Sequence, residues 1–287
     1  MQRILFGAAV AIAVLCLSFS AGHAQEMLKT DGYGSLSGKV TLNGDIPKVD
    51  DFLKKMMDHA DKACCLAPKA KMEEKVDRRW VVDKGTKGVA NVVVWVMPPK
   101  GNYFEIHKKY LKRPERVVID QPHCAFLPFV SVYQPYYWDG KNKVETGQEL
   151  IFKNSATVSH NSRMVSGNKN FAGFNPLLLP DTELNVTKEY KGTSKEVVPY
   201  HLPYTLDCSI HLWMGAKVYV FDHPYYAVTN AKGEFEIPLV PAGAEIRLMG
   251  HHDETGYVIR PELKAGRPIT IKAGEKMVVN LEIDAPK

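Results

Sequence analysis

Three side chains recur at three-residue steps in Cys208-Ser209-Ile210-His211-Leu212-Trp213-Met214. A thiolate, an imidazole and a thioether on one short segment are soft and borderline donors, and they select a soft or borderline metal ion. A fourth donor stands upstream, in Val158-Ser159-His160-Asn161. Copper matches this set. Sulfur suits Cu(I), and imidazole suits both oxidation states. Two His and one Cys in a trigonal plane, with a weak axial Met, make a blue-copper electron-transfer centre. Zinc matches less well, because Met is a poor zinc ligand and no Cys-x2-Cys pair occurs. Cys-x2-His alone would be weak, a core pair or half a zinc site. Met214 at the next third position and an upstream His-Asn make the pattern specific. The competing reading puts Cys208 in a disulfide and His211 and Met214 in an ordinary core.

Such a site needs two strand ends at one pole of a sandwich. The sequence predicts strands over Glu149–Asn154, just before His160, and over Ala216–Phe221, directly after Met214. Val89–Met97 is a long β-branched run stopped by Pro98-Pro99, which predicts a buried core strand. Ser37–Leu42 alternates and ends at Asn43-Gly44, a hairpin signal. Further expected strands are Arg116–Asp120, Pro128–Tyr133, Ala227–Asn230, Glu234–Leu239, Glu245–Met249, Ile269–Lys272 and Lys276–Ile283. One helical period is clear, in Phe52, Leu53, Met56, Met57 and Ala60, with Asp50 or Asp51 as its cap. Tyr103–Leu111 is a candidate second, short helix. The expected class is all-β: a mostly antiparallel sandwich over 33–222 with a short helical insertion, then a small β-sandwich over 223–287. About 65 residues make a marginal sandwich if isolated.

The 287 residues are 45% hydrophobic and 24% charged, which excludes disorder or coiled coil for the bulk of the chain. The net charge of +5 is spread along the chain and does not mark a nucleic-acid binder. Residues 1–24 read as an export signal: Arg3, an apolar run from Ile4 to Leu17, and a small-residue end at Gly22-His23-Ala24. The apolar run is shorter than the roughly 20 residues of a membrane-spanning helix. Leu15 before Cys16 argues against a lipoprotein signal. The product is expected in the periplasm or secreted, with no membrane span after signal removal, where disulfides are permitted.

The Cys208-x2-His211-x2-Met214 loop resembles the copper loop of cupredoxins, in the shortened spacing associated with amicyanin. The resemblance implies a Greek-key sandwich and one type 1 copper per chain. His160 and His211 would supply the imidazoles, Cys208 the thiolate and Met214 the axial thioether. Asn161 resembles the family residue that ties the two ligand loops together by hydrogen bonds. Gly38–Pro47, Val89–Val96, Cys124–Pro128 and Gly147–Asn154 resemble framework segments of an exported bacterial group of plastocyanin/amicyanin-like proteins, some labelled methylamine-utilisation proteins. In that group a trailing module similar to carboxypeptidase regulatory-like domains follows, matched here by 222–226, 233–235 and 241–243. One departure stands out: relatives often carry Pro-His-Val where this chain has Pro128-Phe129-Val130.

Cys16 leaves with the signal and Cys208 is taken by the metal. One disulfide is expected from Cys64 or Cys65 to Cys124, with the choice between the two open. His123, His201 and His223 are expected to be structural or exposed. His251-His252 is the best candidate for a second metal site, together with His223. Yet adjacent strand residues face opposite ways, so a solvated loop is the simpler expectation. Asn185-Val186-Thr187 fits a glycosylation acceptor in a eukaryotic secretory host only. No nucleophile elbow, phosphate loop or His-Glu-x-x-His helix occurs. The function expected is one-electron transfer between redox protein partners, with acidic ones among the candidates given the lysine-rich surface, and not catalysis. His211 is the expected electron exit if its ring edge reaches the surface, with Leu212 and Trp213 in the docking patch. The alternatives are copper binding and delivery without redox cycling, or a scaffold role. Nothing in the sequence fixes the oligomeric state.

Overall fold

The computed structural model describes residues 25–258 and 266–286. The expected export signal lies outside the described residues. β-Strands dominate, in two packed pairs of sheets, as the all-β reading requires. In the first pair, Tyr33–Asn43 is flanked by Glu234–Pro241 on one side and by Lys276–Val278 and Leu281–Asp284 on the other. The facing sheet joins Tyr226–Val228, Val93–Met97 and Glu245–His252, with Gly256–Tyr257 and Arg267–Thr270 beside the last. Leu36, Val40, Val94, Val96, Ile237, Ile246 and Leu248 fill the space between.

The second pair carries the chemistry. Arg163–Val165, Tyr200–Asp207, Gly215–Val220 and Val130–Tyr133 form one sheet in that order. Thr182–Asn185, Glu149–Asn154 and Arg116–Asp120 form the other. Ile119, Leu150, Phe152, Met164, Tyr204, Leu206 and Val218 make their common core. Two pairings are parallel, Gly215–Val220 with Val130–Tyr133 and Arg116–Asp120 with Glu149–Asn154. Both join strands separated by long connections, which permit the crossover that parallel neighbours need. A third cluster locks the two sandwiches together: Val93, Trp95 and Met249 against Phe129, Val130, Tyr219 and Phe221. Strand Val93–Met97 is thus buried on both faces, which explains its unbroken apolar run.

The strands do not divide at 222/223 as expected. Those beyond 222 pair with Tyr33–Asn43 and Val93–Met97, so the C-terminal segment completes a sandwich begun by the N-terminal strands. The physical reason is size: some 65 residues alone make only a marginal core, and pairing with the N-terminal strands enlarges it. The same pairing replaces the hairpin expected at Asn43-Gly44. Gly44 does turn, at φ +105°, but the partners of the strand lie far along the chain. Val89–Met97 becomes a strand only at Val93, because Asn91 sits at φ +63° and breaks the extension. Lys276–Ile283 splits into two short strands.

The helical insertion is two short helices, α1 (Leu53–Met57) and α2 (Lys62–Cys65), where one is expected. Asp51 Oδ1 accepts from the Leu53 N–H at 3.1 Å. Only Met56 of α1 is buried, too narrow a stripe to carry the helix further. Tyr103–Leu111 holds only a single 3-10 turn at Lys108–Tyr110, with none of its residues buried. The disulfide is Cys65–Cys124, and Cys64 is free and buried. No helix of the described residues is long and apolar enough to cross a membrane.

His251 and His252 lie inside this frame, not on a solvated loop. They end strand Glu245–His252 and are almost wholly buried. His251 Nδ1 is 2.7 Å from the Tyr219 hydroxyl, while the His252 ring packs on Trp80 at 4.4 Å between centroids. Burial pushes both imidazoles down to about 4. In the unfolded chain each would protonate near 6.5. The unfolded state therefore gains protons first as pH falls, and stability drops from about pH 6.5 towards 4. Each ring contributes up to roughly 3 kcal/mol of that loss. Denaturant unfolding of the metal-free protein across this range should show the decline, and His252→Phe should flatten it. Stability that is level from pH 7 to 4 in the wild type would remove the argument.

Candidate metal centre

Two connections bring the soft donors to one pole. Strand Tyr200–Asp207 ends one residue before Cys208, and strand Gly215–Val220 begins one residue after Met214. Asp207 pairs with Gly215, which closes 208–214 into a tight loop between antiparallel neighbours. His160 begins the two-residue strand His160–Asn161, held by Leu177–Leu178. Asn154, at the end of Glu149–Asn154, fixes that crossing, with Nδ2 donating to the Val158 and Leu178 carbonyls at 2.9 and 3.0 Å.

The Cys208 sulfur is the meeting point. The backbone N–H groups of Asn161 and His211 both donate to it, each at 3.4 Å. Its Sγ stands 3.9 Å from His211 Nδ1. The rings of His160 and His211 are 4.6 Å apart. One donor atom from each of His160, Cys208 and His211 falls within 4.8 Å of the others. The Met214 N–H donates to the His211 carbonyl at 2.9 Å, and its side chain joins the core cluster that contains Cys208. His160 and His211 are 0% exposed, Cys208 2% and Met214 3%, so water is kept out.

The donors present fit a metal ion. Donors bonded at about 2.0 Å for nitrogen and 2.3 Å for sulfur stand at most about 4.3 Å apart. The 3.9 Å between Cys208 and His211 falls inside that limit. Both ring nitrogens of His160 are buried with no hydrogen-bond partner. The His123 carbonyl favours a charged ring without reaching hydrogen-bond geometry. An imidazole left unpaired in this way costs stability unless something else takes its lone pair. Burial, with repulsion from His211, pushes His160 down to about 4. Burial and then His59 lower His211 as well. Both rings are held neutral, the state in which imidazole binds metal.

The helical insertion adds residues that sequence reasoning missed. Asp61, between α1 and α2, places Oδ2 3.1 Å from His211 Nε2. The His59 ring lies 4.5 Å from that of His211 and meets Trp213 edge-on at 5.4 Å. Trp213 Nε1 donates to the Cys124 carbonyl at 3.1 Å, and Cys124 is bonded to Cys65 in α2. His211 therefore has no exposed edge, contrary to its expected role as the exit. The insertion lies over it. The available signal was a His-x-Asp pair on the polar side of the same insertion as the cysteines. The tie expected of Asn161 also differs: its backbone N–H makes it, and any residue but proline could do the same. A side-chain tie comes instead from Asn175, whose Nδ2 donates to Ser209 Oγ at 3.3 Å.

The remaining histidines stand elsewhere. His123 Nδ1 pairs with the buried Glu74 at 2.7 Å, His201 is exposed, and His223 Nδ1 accepts from the Tyr225 N–H at 3.2 Å. His223, His251 and His252 do not assemble. Among the described residues, every cluster of three metal-capable donors includes His211.

No protein-family model matches the chain, and no curated protein matches it. Solved structures similar in part include the following two. The Cu-containing nitrite reductase from Thermus scotoductus SA-01 is 16% identical at a TM-score of 0.27, over 37% of this chain and 22% of that one. The purple cupredoxin from Nitrosopumilus maritimus is 16% identical at a TM-score of 0.25, over 37% of this chain and 99% of that one. The match thus spans about a fifth of the nitrite reductase. Likeness at this level carries no argument for this chain, and the chemistry stands on the geometry above.

The unpaired imidazole of His160 leads to a measurable outcome. His160→Leu removes two unsatisfied buried nitrogens, so the metal-free variant should be at least as stable as the wild type, with a gain of about 1 kcal/mol. The same variant should lose metal uptake. Denaturant unfolding and metal titration check both. A metal-free variant destabilised by several kcal/mol would make His160 an ordinary structural residue.

Proposed function

We propose that this chain is an exported type 1 copper protein that carries single electrons between redox partners and has no catalysis of its own. The observation that carries the reading is the buried, unpaired His160 facing the Cys208–His211 pair at the end of one sandwich. His160, Cys208 and His211 would hold copper, with Met214 as the weak axial donor. Bound there, copper supplies a one-electron couple between Cu(I) and Cu(II). The chain's own part is to fix the donors in advance. The two N–H groups donating to the Cys208 sulfur limit its movement. Burial keeps water from competing for the metal, and the disulfide holds α2 against the ligand loop. A site that rearranges little between charge states favours electron exchange.

The surface around the site supports protein partners. Leu212 is 84% exposed beside the ligands, with Ile210, Leu177 and Leu179 also exposed. A cleft of about 330 Å³ runs beside Trp213 and Met214 and carries Lys55 and Arg78. The same cleft also carries Arg79 and Lys217 against Glu74, Asp77, Asp207 and Asp253, so its charges balance and it is the exposed apolar side chains that suit a protein partner. Delivery of copper to an acceptor is the second reading. It needs ready metal exchange, which the closed cover over His211 opposes.

Titration with Cu(II) tests the reading. One copper per chain and intense visible absorbance from thiolate charge transfer are expected. Cys208→Ser should abolish the colour, and His160→Ala should abolish or strongly alter it. A folded wild-type protein that took up no copper, or bound it without colour, would end the electron-carrier proposal. Rapid loss of copper to a competing chelator, with slow electron exchange, would favour delivery.

A further inference from the structure

We propose that Asp61 is a positioning residue for His211, fixing its tautomer and strengthening it as a donor through the hydrogen bond at Nε2. This rests on the copper reading above and deepens it. A carboxylate only accepts hydrogen bonds. Asp61 Oδ2, 3.1 Å from His211 Nε2, therefore requires the proton on Nε2. In a neutral imidazole the other nitrogen then carries the lone pair. That nitrogen is Nδ1, the atom 3.9 Å from the Cys208 sulfur. One bond thus decides which atom of His211 faces the metal.

The placement of Asp61 supports a dedicated role. It is the N-cap residue of α2, a position where an Asp side chain normally accepts a backbone N–H of its own helix. Here it makes no capping bond. Its backbone carbonyl still accepts from the Cys64 and Cys65 N–H groups, at 2.9 and 3.1 Å. The carboxylate itself is turned away to the buried imidazole. Cys65, one turn on, is bonded to Cys124, whose carbonyl accepts the Trp213 indole N–H. The insertion is thus anchored beside the ligand loop, which holds the Asp61 carboxylate, 31% exposed, next to the His211 ring, with His59 Nδ1 3.7 Å from the same oxygen.

The consequence is electronic. A carboxylate pulling on the Nε2 proton raises the electron density of the ring and makes Nδ1 a stronger donor. The stronger donor favours the more highly charged Cu(II) over Cu(I) and lowers the reduction potential. Removing such partners typically costs 10–100-fold in metal affinity.

Asp61→Ala, Asp61→Asn and the wild type, each loaded with copper, provide the test. The Ala variant should bind Cu(II) about tenfold more weakly while its Cu(I) affinity stays near the wild-type value, and its potential should rise by about 59 mV per tenfold. Asp61→Asn keeps a neutral acceptor and should fall between the two. If Asp61→Ala does not fold, Asp61→Asn with the same readouts decides. A separate measurement needs no copper: nitrogen-15 shifts of the metal-free wild type should show His211 protonated at Nε2. Potentials and affinities unchanged across the series, or a wild-type ring protonated at Nδ1, would overturn the proposal. A wild type that takes up no copper would instead defeat the electron-carrier reading, and the ring tautomer would still decide the role of Asp61.

Discussion

The sulfur of Cys208 is the acceptor on which two segments of the chain, 47 residues apart, converge. A buried backbone N–H must find a partner, and the N–H groups of Asn161 and His211 find the same one. That requirement joins the loop after strand Tyr200–Asp207 to the short strand His160–Asn161. The rest of the pole is built outward from it. The sandwich beneath supplies rigid strand ends, the pairing of Asp207 with Gly215 closes the loop, and the helical insertion lies over the second imidazole. A donor set assembled in this way keeps its shape by packing and hydrogen bonding, so the arrangement is specified by the chain itself.

The grouping of His160, Cys208 and His211 at one pole was legible in the sequence because these donors are chemically unusual and two of them are closely spaced. Cys208, His211 and Met214 share one loop, and strand patterns flank both that loop and His160. The elements under them were legible for a similar reason: β-branched runs such as 93–97 and 149–154 allow little else. What stayed hidden was tertiary. Asp61 and His59 lie about 150 residues from His211, on an insertion whose helical period says nothing of where it docks. Alternating patterns carry no information on strand partners, which is why the division expected at 222/223 gave way to pairing with strands near the N-terminus. Adjacent Cys64 and Cys65 were indistinguishable until α2 was placed, since only one of two neighbouring helix positions can face Cys124.

Polar groups are buried unevenly. Around the Cys208 pole most of them are paired, so His160 stands out. The second unpaired ring, His252, lies in the other sandwich against Trp80. Among the described residues no donor cluster includes it, and its cost is borne by the fold as a sensitivity to acid. Two imidazoles alike in lacking partners thus differ in what surrounds them. Neighbouring donors, and not burial alone, separate a ligand from a structural residue.

The long-range pairing of Tyr33–Asn43 also governs how the protein comes into being. That strand takes its neighbours from residues 234–241 and 276–284, so its hydrogen bonds wait on nearly the whole chain. Contacts this distant form late and slowly, because a long loop must close before they give anything in return. During synthesis, therefore, the first sandwich stays open while the strands of residues 116–220, nested between its halves, can already pair among themselves. A polypeptide that postpones its final closure in this manner leaves the edges of its first strand unpaired until the last residues arrive.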